Sequence, residues 1–113
     1  MTIEQLRQWG ADTEKGIARC MGNEAFYLRM VGMLRGEPNT AKLAASVAAG
    51  DLDGAFEAAH TLKGVLANLE LTPALTPVAE ITEQLRGRRE MDYGPLTARI
   101  QTEMDALQRI IAG

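Results

Sequence analysis

Ala55, Ala59, Leu62, Leu66 and Leu69 recur at three- and four-residue intervals, so this stretch can gather its apolar side chains onto one face only by coiling as an amphipathic helix. Asp51 stands where an N-cap is needed, and the pattern persists for almost five turns. The rest of the chain gives a sheet little to build on. Aromatic residues are 4% of the total, β-branched residues never gather into alternating runs, and Ala, Leu, Met, Glu, Gln and Arg dominate.

The remaining segments read the same way. Thr2 caps a short helix to Trp9, with Ile3, Leu6 and Trp9 at three-residue spacing and Gly10 closing it. Asp12 caps a second short helix through Cys20. Asn23 caps a third from Glu24 to Leu34, whose expected buried stripe is Phe26, Met30, Val31 and Leu34. Gly36 to Asn39 read as a loop, and Thr40 to Ala49 as a helix facing inward through Leu43 and Val47. Thr72 and Thr76 each precede a proline, so the next helix is expected to start at one of these two threonine caps and run to Leu85. After a polar loop from Gly87 to Pro95, a last helix from about Leu96 carries Ile100, Met104, Leu107 and Ile111 on one face. Short connections between long helices favour antiparallel neighbours. The expectation is one all-α domain over residues 1–113, an up-and-down antiparallel four-helix bundle with short additional N-terminal helices.

Composition removes several function classes. The net charge is −3, with only Arg86, Arg88 and Arg89 clustered, so no positive field exists to collect nucleic acid. No apolar stretch approaches the roughly 20 residues of a membrane span, and Thr2, Ile3 and Glu4 after Met1 do not begin a secretion signal, so a cytoplasmic location is expected. Cys20 and His60 are each the only residue of their type, which excludes an intramolecular disulfide and a multi-Cys/His zinc site. Asp51, Asp53 and Gly54 hint at a calcium loop, but Ala55, Phe56 and Leu62 occupy positions that would need an oxygen ligand, a glycine and a closing glutamate. Ser46, the only serine, lacks the strand-and-turn setting of a hydrolase nucleophile. The six methionines read as core filler and Cys20 as a small buried hydrophobe. No glycine-rich nucleotide loop is present, so phosphorylation from ATP by the chain itself is not expected.

His60 is the residue that asks for a function. With Leu62 as origin and about 100° per residue, the apolar set lies within about 60°, while His60 falls near 160°, Lys63 near 100°, Gly64 near 200°, Ala67 near 140° and Phe56 near 120°, all approximate. His60 should face solvent, away from the core. A neutral imidazole, with a reference pKa of roughly 6.5, offers a ring nitrogen as a nucleophile at neutral pH without a separate base. Lys63, three residues on, would offset the charge of an acquired phosphoryl group. Gly64, four residues on, costs a helix about 1 kcal/mol relative to Ala and leaves room for another protein surface to approach. Phe56, Glu57 and Ala67 complete the candidate surface, with Val65 at its edge: Phe56 and Ala67 as apolar docking contacts, Glu57 as a group able to accept an imidazole N–H.

The run Ala59, His60, Thr61, Leu62, Lys63, Gly64, followed by Asn68 and Leu69, resembles the signature of histidine-containing phosphotransfer (HPt) domains. The resemblance extends through Gly22, Asn23, Glu24 and Tyr27, through Ala48 to Asp51, and weakly through Glu80 to Leu85. It implies a four-helix bundle core, His60 as phosphoacceptor, Lys63 as support for the phosphoryl group, and Gly64 as space for a receiver domain. The implied partners are response-regulator receiver domains and a hybrid sensor kinase. The implied Mg²⁺ belongs to the receiver, with no cofactor or metal on this chain. A monomer is expected, since a single-site carrier has no need to dimerise. Family members commonly carry small residues where Val65 and Leu66 stand, and a glycine where Glu70 stands. The sensor-kinase phosphoacceptor motif, an acidic residue, an aliphatic, a basic residue and a proline after the histidine, does not fit Thr61 to Gly64. The competing expectation is a helical module that binds and inhibits a receiver or kinase without taking phosphate. Acid-labile phosphate on the chain discriminates the two.

Overall fold

The computed structural model describes residues 1–113 as seven helices and no strands. They are α1 (Ile3–Trp9), α2 (Thr13–Arg19), α3 (Glu24–Gly32), α4 (Pro38–Ala48), α5 (Leu52–Asn68), α6 (Thr72–Arg86) and α7 (Gly94–Ala112). Helix α5 packs most extensively, against α4 on one side and α6 on the other, while α7 lies against both α6 and α4 and closes the ring. Leu43, Leu62, Leu66, Ile81, Leu85, Ile100, Met104 and Leu107 are buried in the middle of this group. No helix is long and apolar enough to cross a membrane.

The N-caps act as anticipated at α1, α2, α3 and α5. Thr2 accepts the Gln5 amide N–H and Gln5 reciprocates, a capping box; Asp12, Asn23 and Asp51 accept from Lys15, Phe26 and Gly54. Other boundaries differ for identifiable reasons. Helix α4 starts at Pro38, ahead of the expected Thr40, because the Glu37 side chain accepts the Asn39 N–H and proline fits the first turn. Helix α7 likewise takes in Gly94 and Pro95 ahead of the expected Leu96. Neither threonine caps α6: Leu71 is its N-cap residue, without a side-chain cap bond, and both threonines lie inside the helix. Pro77 is therefore internal and buried, and the Thr76 hydroxyl donates to the Thr72 carbonyl in the same turn. Helix α3 stops at Gly32, where the N–H groups of Leu34 and Arg35 turn back three residues to Val31 and Gly32.

The buried stripe of α3 also differs from expectation. Phe26 is 41% exposed and Tyr27 is fully buried. Tyr27 wins the inward position because Gly16 of α2 leaves room for its ring: a Cβ there would lie 2.8 Å from Tyr27 Cζ and 2.9 Å from the Leu69 carbonyl oxygen. The Tyr27 hydroxyl donates to that carbonyl at 2.9 Å. Burial, reinforced by nearby Cys20, Asp12 and Glu70, pushes its pKa up to about 12. Ala58, not on the expected core list, is buried as well.

Helix α5 ends in a Schellman motif, with Leu71 N–H donating to the Leu66 carbonyl and Glu70 N–H to Ala67. Glu70 occupies the left-handed position at φ +54°, which accounts for the glycine that the family commonly places there. Here the strain is offset by ties on both sides of the residue: Arg19 donates to its carboxylate at 3.0 Å, and its carbonyl accepts the Asp12 N–H at 3.0 Å. Leu66 is fully buried and Val65 half-buried, so the two larger residues are absorbed by packing.

Candidate functional site

Helix α5 turns its alanines and leucines inward: Ala55, Ala58, Ala59, Leu62 and Leu66 are all buried. His60 projects from the opposite side and is exposed, as the angular reading anticipated. The imidazole stands on open surface, and His60 lines none of the five cavities whose linings include Ala44 and Thr97, Met30 and Leu69, Gly36 and Gln108, Arg19 and Leu69, and Arg7 and Glu14. One turn later Gly64 is exposed, and a Cβ added there would meet nothing within 4 Å. One turn earlier the half-buried Phe56 ring stacks on the imidazole, with centroids 5.6 Å apart and planes 12° from parallel.

Lys63 lies on the same patch, but its ammonium leans across to α6, where Nζ is 3.9 Å from Glu83 Oε1. Glu57 is exposed and makes no hydrogen bond to His60; Ala67 and Val65 are partly buried. Beyond Val65, on the side of α3, an apolar groove of about 280 Å³ is lined by Met30, Met33, Leu34, Asn68 and Leu69. Met33 is 70% exposed at its rim.

Two further residues, Arg86 and Arg88, reach the site from α6 and its C-terminus. The Arg86 guanidinium lies 5.3 Å from the Phe56 ring centroid and the Arg88 guanidinium 4.8 Å from it, both within cation–π range. Arg88 owes its place to the backbone. It takes the left-handed position (φ +51°) of a second Schellman motif, in which Arg88 N–H donates to Leu85 and Arg89 N–H to Gln84. Its side chain then donates to Asp53 Oδ1 at 2.7 Å and to the Leu85 carbonyl at 2.6 Å. Arg86 is held more loosely, with both Nε and Nη2 3.4 Å from Glu83 Oε1. The pairs Asp53 with Arg88, Phe56 with Arg86 and Lys63 with Glu83 join α5 to α6 and the residues just after it in opposite chain directions. The two helices therefore run antiparallel here, and α6 lays a cationic edge beside His60.

Sequence reasoning noted the arginine cluster but could not place it. The signal that would have done so is the α5–α6 turn, which folds Arg86 and Arg88 back onto the first turns of α5. The patch combines an exposed imidazole, an unobstructed approach at Gly64, and three cations on one flank. Such a surface can present a nitrogen nucleophile to another protein and balance an incoming anion.

No curated protein and no solved structure matches this chain. The family model of the Hpt domain matches residues 35–110, from the approach to α4 to near the end of α7, including His60, Gly64 and the parts of α5 and α6 around them. The chain belongs to the Hpt domain family.

Proposed function

We propose that this protein is a phosphorelay intermediate that accepts a phosphoryl group on His60 from a receiver-domain aspartate and passes it to another receiver. Membership of the family supports involvement in His–Asp phosphorelay, and Hpt domains are phosphocarriers rather than kinases, in keeping with this reading. The observation that carries the assignment to His60 is its exposure beside an open Gly64, on a helix whose other face is wholly committed to the core. The scaffold is read as an up-and-down bundle of α4–α7, supported by their short connections and closed ring of contacts.

In the transfer, a ring-nitrogen lone pair forms the P–N bond as the P–O bond to the receiver's aspartyl carboxylate breaks, and that electron pair leaves on the carboxylate. The return step is the reverse. Mg²⁺ belongs to the receiver's acidic site, and this chain contributes the nucleophile, nearby positive charge and a docking surface. Phe56, Glu57 and Ala67, with Val65 and the groove beyond it, form that surface. A hybrid sensor kinase supplies the phosphoryl group, and the carrier acts as a monomer.

The test is incubation with a phosphorylated receiver domain and Mg²⁺, followed by label retention on wild type and His60→Gln. Acid-labile label on wild type and none on a folded His60→Gln protein is the expected result; retained label would sink the assignment. Lys63→Ala should slow transfer or shorten the life of the phosphoprotein, and an unchanged rate would remove Lys63 from the site.

A further inference from the structure

One carboxylate oxygen, Glu83 Oε1, holds two of the cations beside His60: Lys63 Nζ at 3.9 Å, and Arg86 Nε and Nη2 both at 3.4 Å. These distances are long for charge-assisted bonds, whose usual range is about 2.7–2.9 Å. The Arg88 to Asp53 bond a short way along the same edge is 2.7 Å. Glu83 is 58% exposed and Lys63 35%, so both pairs are screened and weakly held. Arg86 at the same time lies over the ring that stacks on His60. In the free protein Lys63, three residues along α5 from His60, and Arg86, over the ring stacked on the imidazole, thus share one screened carboxylate that competes poorly with a dianion.

We propose, resting on the phosphorelay reading, that Glu83 is a displaceable counterion: it parks Lys63 and Arg86 while His60 is bare and yields them when the phosphoryl group arrives. Handing the cations over gives up the Glu83 pairs and leaves a carboxylate beside a dianion, so Glu83 disfavours the loaded state. It keeps phosphohistidine poised for onward transfer rather than trapped. Arg88 stays on Asp53 throughout and fixes Phe56. Glu83 touches no reacting atom; it is a positioning residue acting through Lys63 and Arg86.

Removing its charge should shift the equilibrium toward loaded His60. Two screened ion pairs of ordinary strength set the size of the shift at about two- to fivefold. The experiment equilibrates full-length wild type, Glu83→Gln, Lys63→Ala/Arg86→Ala and the triple variant with one phosphorylated receiver domain and Mg²⁺, and measures the partition of label. Spontaneous hydrolysis of the purified phosphoproteins is followed in parallel. Glu83→Gln should raise the share of label on His60 and lengthen the phosphohistidine half-life, and most of that gain should vanish in the background lacking both cations. An unchanged or lowered share on Glu83→Gln would overturn the proposal. So would a gain undiminished without the cations, which would mean simple through-space repulsion. If wild type takes no label, the phosphorelay reading itself falls; if wild type loads normally and Glu83→Gln partitions like it, only the role of Glu83 falls.

Discussion

Replacing Gly64 by alanine should make the protein more stable and a poorer phosphoryl carrier. Gly64 sits well inside α5, and a Cβ there would meet nothing within 4 Å, so the folded state accepts the methyl group without adjustment. The usual helix-interior preference for Ala over Gly, about 0.8–1 kcal/mol, should then be recovered in full. For a chain of 113 residues, an unfolding entropy near 2.1 cal/mol/K per residue turns that into a rise in Tm of about 3–4 °C. The same methyl group stands one turn from the imidazole, on the surface that a receiver must approach. Holding the reacting atoms even a fraction of an ångström apart removes in-line geometry, and a displacement near 1 Å can cost about 100-fold in rate. Thermal unfolding by circular dichroism and a rapid-mixing transfer assay on the same preparation read the two effects. Opposite signs are expected, with stability up and transfer down at least about tenfold, or ~1.4 kcal/mol in the barrier. A stabilised Gly64→Ala that transfers at the wild-type rate would refute the idea that this glycine is there for the partner. A destabilised one would refute the open geometry itself.

Gly16→Ala should do the opposite at the other end of the fold. Its methyl group would press on the Tyr27 ring and the Leu69 carbonyl oxygen, so overpacking of about 1–3 kcal/mol outweighs the roughly 1 kcal/mol gained in helix preference, and chemical denaturation should show a net loss. Tyr27 should also give the protein an alkaline limit. With its pKa pushed up to about 12, the unfolded chain ionises from about pH 10 while the folded one does not, so stability is complete below pH 10 and falls as pH rises toward 12. Tyr27→Phe should flatten that decline while costing about 1 kcal/mol at neutral pH for the lost bond to Leu69; an unchanged alkaline slope would exclude Tyr27 as its source.

Local rules carried the sequence reading far for α1, α2, α3 and α5, each announced by a side-chain cap: Thr2, Asp12, Asn23 and Asp51 all accept the expected backbone N–H. They failed where helix starts rely on proline or on tertiary packing. Thr72 and Thr76 have the residue type of a cap, yet Leu71 is drawn inward to full burial, and the helix begins there with both threonines inside it. Phe26 and Tyr27 differ by one position and either could lead the stripe of α3. The choice falls to Gly16, a residue of another helix, whose missing Cβ admits the larger ring and brings its hydroxyl to a carbonyl at the end of α5. No periodicity within α3 contains that information.

The site divides along the same line. Everything that one helix can say about itself was readable from 100° steps: the core face, the exposure of His60, the open side at Gly64 and the position of Lys63 on the same patch. What surrounds His60 electrically was not, because it depends on how α6 folds back over α5. Gly87 looks like the natural terminator of α6, but it keeps a right-handed φ of −83° and the left-handed position passes to Arg88. That single shift aims the Arg88 side chain across the helix pair at Asp53 and lays it over Phe56. With Arg88 held at 2.7 Å and Arg86 and Lys63 on long, shared contacts to Glu83, the cations on this flank fall into two kinds: one bonded tightly beside the stacked ring and two that share a single screened carboxylate. The proposed phosphoryl transfer calls on both kinds. A fully rigid set of cations would bind the phosphoryl group too well to release it, and a fully loose one would leave the imidazole without a fixed platform against which the partner must align.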